Sequence, residues 1–163
     1  MRNDNSRKSR WICFTTLLVF CLSTLVFSQD DSNLEAKRVV VKRLIEEGYN
    51  QQNFAVIDSL VAADYVEYTN GIRADSSSAI KKTIIWLKDR APDFQLKPLN
   101  IIAEGNTVAI QWLYTGKNVK YDKDVMLHGI YIARFEGNLI VQGWQYFDNQ
   151  QRYEQLGFKM EIP

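Results

Sequence analysis

The amino-acid sequence predicts an α+β fold in which N-terminal helices pack on a strongly curved, mainly antiparallel β-sheet. Between residues 31 and 91, apolar side chains recur mostly at helical spacing, and between residues 94 and 147 four β-rich runs follow one another. Helices gathered before strands are typical of an α+β domain. A bent sheet with helices across its concave side can enclose a cone, and a cone that side chains leave unfilled is a pocket.

The first two predicted helices lie within residues 31–61. Asp-Ser-Asn at 31–33 is a helix-start signal, and apolar residues then follow at helical spacing up to Gly48. Asn53 is a good capping residue for a second, shorter helix that runs to Val61. Tyr49 falls at the end of the first helix.

A short strand and a third helix are expected next. DYVEY at 64–68 has the composition of a strand, and the Asn-Gly pair at 70–71 ends it with a turn. The third helix opens at 75–78 and must stop before Pro92, because the residue before a proline disfavours the α region. Its predicted buried side carries four apolar residues: Ile80, Ile84, Trp86 and Leu87.

Four long strands complete the predicted sheet. Glu-Gly-Asn at 104–106 and again at 136–138 predicts two tight hairpin turns between consecutive strands. Counting alternate side chains places residues 129, 131 and 133 on the pocket face, together with 143, 145 and 147. A closing helix is expected around residues 152–156.

Residues 1–28 have the pattern of a secretory signal peptide. A basic segment precedes the uncharged apolar run 11–27, and the small Ser28 offers a cleavage site before Gln29. Cleavage would leave residues 29–163 as one secreted or periplasmic domain. If the segment stays uncleaved, the same apolar run would instead anchor the protein in a membrane.

Composition excludes several classes of function for the mature chain. About 135 residues suit a single domain, and a mature charge of about −2 argues against a nucleic-acid partner. Cys13 and Cys21 both lie in the signal, so neither a disulfide nor a thiol nucleophile is expected. His128 is the only histidine, which excludes a His/Cys zinc site. No metal, no cofactor and no membrane contact after signal removal are predicted.

Several segments together resemble one family. AEGNTVAIQWLYTG (103–116) and RFEGNLIVQGWQYFD (134–148) resemble the two hairpins of SnoaL-like polyketide cyclases, in the NTF2-like superfamily. FAVIDSLVAADYVEY (54–68) resembles the second helix and first strand of that family, and Gln-Leu-Gly at 155–157 matches a motif that commonly follows its last hairpin. The resemblance covers most of residues 32–158 and implies an NTF2-like cone.

The resemblance also directs attention to Gln145. In this family, an Asp on the last strand near the tryptophan faces the cone as a general base, and the equivalent position here is Gln145. An amide donates and accepts hydrogen bonds but cannot abstract a proton. The sequence therefore predicts that Gln145 anchors a ligand, and no catalytic residue is assigned.

The predicted function is binding of a small hydrophobic or aromatic molecule in the cone, because polar-tipped aromatic residues are frequent in the chain. The ligand-binding residues predicted are Gln145, Tyr131, Tyr49, Tyr68 and Trp86. Two alternatives stay open: a cyclase- or isomerase-type enzyme with a relocated base, and a protein-association module that uses the outer face of the sheet.

Two further expectations concern that outer face. His128 is predicted to lie on it, opposite in parity to Tyr131. Apolar residues of the same face suggest an interface, and the resemblance implies a two-fold homodimer through the sheet. The residues expected there are Trp112, Ile130, Ile132 and Trp144.

Overall fold

The computed structural model describes residues 31–159, so the predicted signal peptide and its cleavage site lie outside the described residues. The chain divides into two units, Met1–Ala36 and Lys37–Pro163. The described residues of the first unit, 31–36, are helical. The second unit begins with helical residues 37–43 (α1), which lead into a π-helical turn, Leu44–Asn50. No helix among residues 31–159 is long and apolar enough to cross a membrane.

Three more helices follow in the second unit, and side-chain caps fix the start of two of them. Asn53 accepts a hydrogen bond from the Val56 backbone nitrogen at 3.3 Å and so caps α2, Phe54–Leu60. The third helix, α3, spans Ser78–Arg90 and ends before Pro92, as the sequence predicts. Asp148 caps α4, Asn149–Gln155, through the Gln151 nitrogen at 2.9 Å.

Six strands form one sheet in the order β2-β1-β6-β5-β4-β3. All neighbouring strands are antiparallel except β1 and β6, which are parallel. The predicted α+β, mainly antiparallel architecture is therefore confirmed. The strands are β1 Val61–Thr69, β2 Ile72–Asp75, β3 Gln95–Glu104, β4 Thr107–Asn118, β5 Lys123–Glu136 and β6 Leu139–Phe147.

Two details differ from the sequence-based expectation. Val61, expected to end the second helix, is the first residue of β1 and pairs with Ile140, because this β-branched residue fits the parallel pairing with β6. The short strand β2 was not predicted. Its four residues are mostly exposed and it pairs only with β1, so it carries no apolar alternation that a sequence could reveal.

Irregular pairing bends the sheet. Register shifts interrupt β1/β6, β3/β4 and β5/β6, and such bulges increase local twist and curvature. Both predicted hairpin turns are present, with Gly105 at φ 53° and Gly137 at φ 58°. Lys37 on α1 is buried, and its Nζ donates to the Gly105 carbonyl at 2.7 Å, which ties this helix to the β3–β4 turn.

Candidate functional site

A cavity of about 470 Å³ opens between α3, α4 and the helix-covered face of the sheet. Most of its wall is apolar, with Trp112, Leu127 and Phe147 contributed by three neighbouring strands. A second, much smaller recess of about 30 Å³ shares Tyr49, Leu96, Trp112 and Gln145 with it and also reaches Tyr131. A cavity of this size, with few polar groups among apolar walls, has the character of a small-molecule site.

The position of Trp112 corrects one expectation. It was predicted on the outer face, but it is 5 % exposed and lines the cavity. Trp112 pairs with Gly129 on β5, and directly paired residues point to the same face of a sheet. Its ring lies over Gly129 so closely that a Cβ there would come within 2.0 Å of it.

A buried carboxylate lies at the inner end of the cavity. Glu67, on β1, is only 6 % exposed, and it lines the cavity together with Thr69 of the same strand. The Tyr65 hydroxyl donates to Glu67 Oε2 at 2.9 Å, and the Thr69 hydroxyl donates to Oε1 at 2.9 Å. The Tyr65 hydroxyl also lies 3.0 Å from that of Tyr131, and because Tyr65 gives its single proton to Glu67, Tyr131 is the donor of this bond. We call Glu67, Tyr65, Thr69 and Tyr131 the inner cluster.

Burial changes the acidity of this carboxylate. Desolvation raises the pKa of Glu67, and the hydrogen bonds from Thr69 and Tyr65 oppose this increase only in part. No cation of the described residues contributes to its pKa, so Glu67 is not half of an ion pair. A raised pKa makes the ionised form a stronger base than an exposed glutamate, which is the adjustment that general acid–base catalysis requires.

Two more polar groups face the inner cluster. Tyr49 extends from the π-helical turn into both cavities. Burial is the main cause that raises the pKa of its hydroxyl, and the nearby Glu67 and Tyr131 raise it further. Gln145 pairs with Tyr131 across β5 and β6 and lines both cavities. The tyrosine hydroxyls stay protonated at neutral pH and can donate hydrogen bonds.

Gly143 allows the inner cluster to form. It lies on β6, beneath the rings of Tyr65 and Tyr131. A Cβ at this position would be 2.1 Å from the Tyr65 hydroxyl oxygen and 2.6 Å from the Tyr131 ring. Only glycine leaves room for both hydroxyls above this strand.

The structure brings four of the five predicted ligand-binding residues to the cavities: Gln145, Tyr131, Tyr49 and Trp86. Trp86 was expected on the buried side of α3, yet it is 41 % exposed and lies at the cavity rim. Ile80 and Ile84, expected on the same side, do occupy the core face of that helix. Whether these residues bind a ligand stays a prediction.

Tyr68 is the exception, and its placement in the pocket is wrong. Tyr65 and Glu67 point towards the helices, so Tyr68, at the opposite parity of β1, points to the other face of the sheet. There it stacks on Trp144, with ring centroids 6.4 Å apart and planes 12° apart. His128 is exposed on that same outer face, as predicted.

Glu67 is the buried polar residue of the cavity that the sequence did not predict. Its signal was present in DYVEY at 64–68, where Tyr65 and Glu67 alternate with Val66 and Tyr68. The apolar character of Tyr65 fixes the inward parity, and Glu67 then falls on the same face. Among residues 31–159, no group of three or more His, Cys, Asp or Glu side chains could hold a metal ion.

Helices over one face of a curved, mainly antiparallel sheet, with a cavity between the two, place the protein in the NTF2-like class. The chain belongs to the SnoaL-like polyketide cyclase family, whose model matches residues 39–156. No curated protein sequence matches it significantly.

Solved structures with the same fold are distant in sequence. AclR, a proposed hydroxylase from Streptomyces galilaeus, has a TM-score of 0.68 at 20 % identity, covering 80 % of this chain and 90 % of that one. A proposed SnoaL-like polyketide cyclase from Jannaschia sp. CCS1 has a TM-score of 0.70 at 13 % identity, covering 78 % and 96 %.

A third similar structure is a hypothetical protein from Catenulispora acidiphila with a ketosteroid isomerase-like fold, solved in complex with trimethylamine. Its TM-score is 0.65 at 16 % identity, and the match covers 74 % of this chain and 93 % of that one. At such identities, the likeness establishes the fold and leaves the chemistry of the site to its own residues.

Proposed function

We propose that the protein binds a small hydrophobic or aromatic carbonyl compound in the cavity and that Glu67 transfers a proton to and from it. One observation carries this proposal: a buried carboxylate without a cationic partner lies at the inner end of an apolar cavity. Burying a carboxylate in this way costs free energy of folding, and perturbed carboxylates in clefts are frequent at functional sites. The names of the similar cyclases agree with this reaction class.

The chemistry follows from the positions of the polar groups. Ionised Glu67 takes a proton from the carbon next to the ligand carbonyl, and the C–H electron pair moves towards the carbonyl oxygen. Tyr49 and Gln145, which line the same cavity, donate hydrogen bonds to that oxygen as negative charge develops on it. The resulting enolate can be reprotonated at another carbon or can attack a second carbonyl, and protonated Glu67 returns the proton. Isomerisation and aldol-type ring closure are the two reactions of this kind.

A proton-abstraction probe tests the proposal without knowledge of the natural ligand. In 5-nitrobenzisoxazole, a flat aromatic compound, a base removes the ring C–H proton, the N–O bond breaks, and a coloured nitrophenolate forms. We expect saturable turnover by the wild-type protein, faster than by the same concentration of acetate at the same pH. A linear, acetate-like rate would contradict the proposal, because Glu67 would then act as an ordinary solvated carboxylate.

Gln145→Leu tests the role of the amide. The substitution keeps the approximate volume but removes the donor; such a hydrogen bond contributes about 1 kcal/mol net, and its loss leaves a buried partner unpaired at a cost of about 1–3 kcal/mol. We expect binding of a neutral aromatic ketone, measured by calorimetry, to weaken roughly tenfold. Gln142→Leu, on the same strand and paired with Arg134 on the outer face, is the control. If the wild-type protein and Gln145→Leu bind the ketone with equal affinity, Gln145 does not hydrogen-bond the ligand.

The outer face of the sheet favours a second, compatible role in assembly. Ile130 and Tyr146 are paired neighbours on it, 48 % and 49 % exposed, beside the Tyr68–Trp144 stack. Exposed apolar patches of this kind mark interfaces, and we propose a homodimer through this face. Light scattering at micromolar concentration should give a dimer mass, and Ile130→Glu should reduce it to that of a monomer. A wild-type monomer would contradict the dimer.

Export is proposed on the sequence alone. The basic segment, apolar run and small residue of positions 1–28 form a signal peptide, so the mature chain should begin at Gln29. The intact mass of protein recovered from outside the cytoplasm measures this directly. A mass that includes residues 1–28 would favour a membrane anchor instead.

A further inference from the structure

The rim of the cavity carries a half-buried arginine with one buried nitrogen that has no hydrogen-bond partner. Arg152, on α4, lines the cavity, and its Nε is buried with no hydrogen-bond partner among residues 31–159. A buried charged donor that stays unpaired is strongly unfavourable, so such groups in native proteins usually mark the place of a ligand or an ordered water.

The position of Arg152 is fixed from two sides. Its guanidinium carbon lies 4.8 Å from the centroid of the Tyr153 ring. The helix that carries it is held on β5 by Gln155, whose side chain exchanges hydrogen bonds with the Met126 backbone at 2.7 and 2.9 Å. The helix is therefore held against the sheet, with the Arg152 side chain at the cavity.

Two more cations face the same opening from α3. Lys82, Trp86 and Arg90 are spaced by four residues, and all three line the cavity from one side of this helix. The Arg90 guanidinium lies 4.4 Å from the Trp86 ring centroid, and its one carboxylate contact within the described chain is with exposed Asp89 at 3.5 Å. The rim thus combines an aromatic surface with three positive charges.

The cavity carboxylate cannot neutralise these charges. Glu67 is the one acidic residue of residues 31–159 that lines this cavity, and it belongs to the inner cluster with its two hydroxyl donors. Glu67 is 6 % exposed, whereas Trp86, which lies between Lys82 and Arg90 on α3, is 41 % exposed, so these cations lie nearer to the open rim than the carboxylate does. Asp93, whose charge helps to raise the pKa of Tyr114, does not line the cavity and accepts a hydrogen bond from the Lys117 backbone.

We infer that the ligand is an amphipathic aromatic acid. Its anionic group, a carboxylate or a phosphate monoester, lies at the rim against Arg152, Arg90 and Lys82, and its apolar body extends inwards along Trp112 and Phe147. Guanidinium groups bind such anions through two parallel N–H bonds. The inference rests on the proposed function, because it assigns the substrate class of the same cavity, with the reacting carbon held at Glu67 and the acid group remote from it.

A matched pair of probes tests the inference. 2-Naphthoate and its methyl ester share one ring system and differ in charge, and calorimetry gives the dissociation constant of each. We expect the wild-type protein to bind the anion at least tenfold more tightly than the ester, with a preference that decreases as salt is added. Arg152→Gln should remove most of this preference and leave ester binding unchanged, whereas Arg152→Lys should restore part of it. 2-Naphthyl phosphate then shows which of the two anions is preferred.

Two controls separate the outcomes. Arg134→Gln removes an outer-face arginine paired with Glu136 and should change neither affinity. If Arg152→Gln fails to fold, Arg90→Gln provides a second test and should weaken the preference for the anion over the ester. If the wild-type protein and Arg152→Gln both bind anion and ester equally, the inference is overturned, because solvent alone would then satisfy the guanidinium. The proposed function would not be affected by this result. Failure of both probes to bind would contradict the proposed function and this inference with it.

Discussion

Replacing Glu67 with glutamine is expected to reduce turnover of 5-nitrobenzisoxazole by a factor of about 10²–10⁴, the usual contribution of a positioned general base. Glutamine has nearly the same shape: its oxygen can accept from one of the Tyr65 and Thr69 hydroxyls, and its NH2 group can donate to the other once that hydroxyl rotates, so the inner cluster should keep most of its geometry. What it lacks is basicity. Initial rates at saturating and subsaturating probe would show a lower kcat at a similar KM.

The matched control for this experiment is Glu104→Gln, which replaces an exposed glutamate at the end of β3 and should leave the rate unchanged. If Glu67→Gln retains wild-type turnover, Glu67 is not the base in the proposed reaction. Residual activity that disappears only in the Glu67→Gln, Gln145→Leu double variant would show that the cavity still binds the probe after loss of the base.

The same substitution should make the protein more stable at neutral pH. Because burial raises the pKa of Glu67 in the folded state, the folded protein holds this proton more tightly than the unfolded chain does. The free energy of unfolding therefore falls as pH rises from the ordinary glutamate pKa, about 4.3, through the raised value. Glutamine does not ionise, so urea unfolding of Glu67→Gln should show a gain over the wild-type protein that grows across this pH range.

Gly143→Ala is expected to destabilise the protein by about 3 kcal/mol, because overpacking and the loss of buried hydrogen bonds combine. The new Cβ would lie 2.1 Å from the Tyr65 hydroxyl oxygen, which must move away from both Glu67 and Tyr131. For a domain of this size, the melting temperature should fall by roughly 10 °C. Thermal unfolding followed by circular dichroism measures this, and probe turnover should fall as well.

Two companion variants show whether the inner cluster is the cause. Gly137→Asn, in the β5–β6 turn, has open space around its Cβ position, and asparagine tolerates its φ of 58°, so it should cost less than about 1 kcal/mol. Adding Tyr65→Phe to Gly143→Ala removes the oxygen that the new methyl group would strike and should recover part of the stability. A Gly143→Ala protein as stable as wild type would contradict the described packing.

Much of the fold could be predicted because its signals are local. Asn53, Pro92 and the two Glu-Gly-Asn turns each act within a few residues of their own position, and the structure has the corresponding cap, helix end and hairpins where expected. The parallel pairing of β1 with β6 joins residues about 80 positions apart, and β2 is short and exposed. Neither leaves a pattern in one sequence.

The site was predictable only where strand parity was counted. Alternation from Tyr131 correctly placed Gln145 beside it and His128 on the outer face. Along β1 the same alternation, set by buried Tyr65, turns Glu67 inwards and Tyr68 outwards, which is opposite to the prediction for Tyr68. Trp112 was misplaced because its face depends on the register of β4 against β5, where it meets Gly129. Arg152 could not be found at all, since its burial arises from the docking of α4 on β5.

The ionisation of Glu67 tests the central claim most directly. Carbon-13 NMR of the glutamate side-chain carboxyl groups over a pH titration gives the pKa of each, and the Glu67 signal is the one missing from Glu67→Gln. The structure predicts a midpoint above the ordinary value of about 4.3, because the group is buried and has no cationic partner. A midpoint at or below that value would mean that Glu67 is solvated or paired with a cation and would contradict its role as the buried base of the cavity.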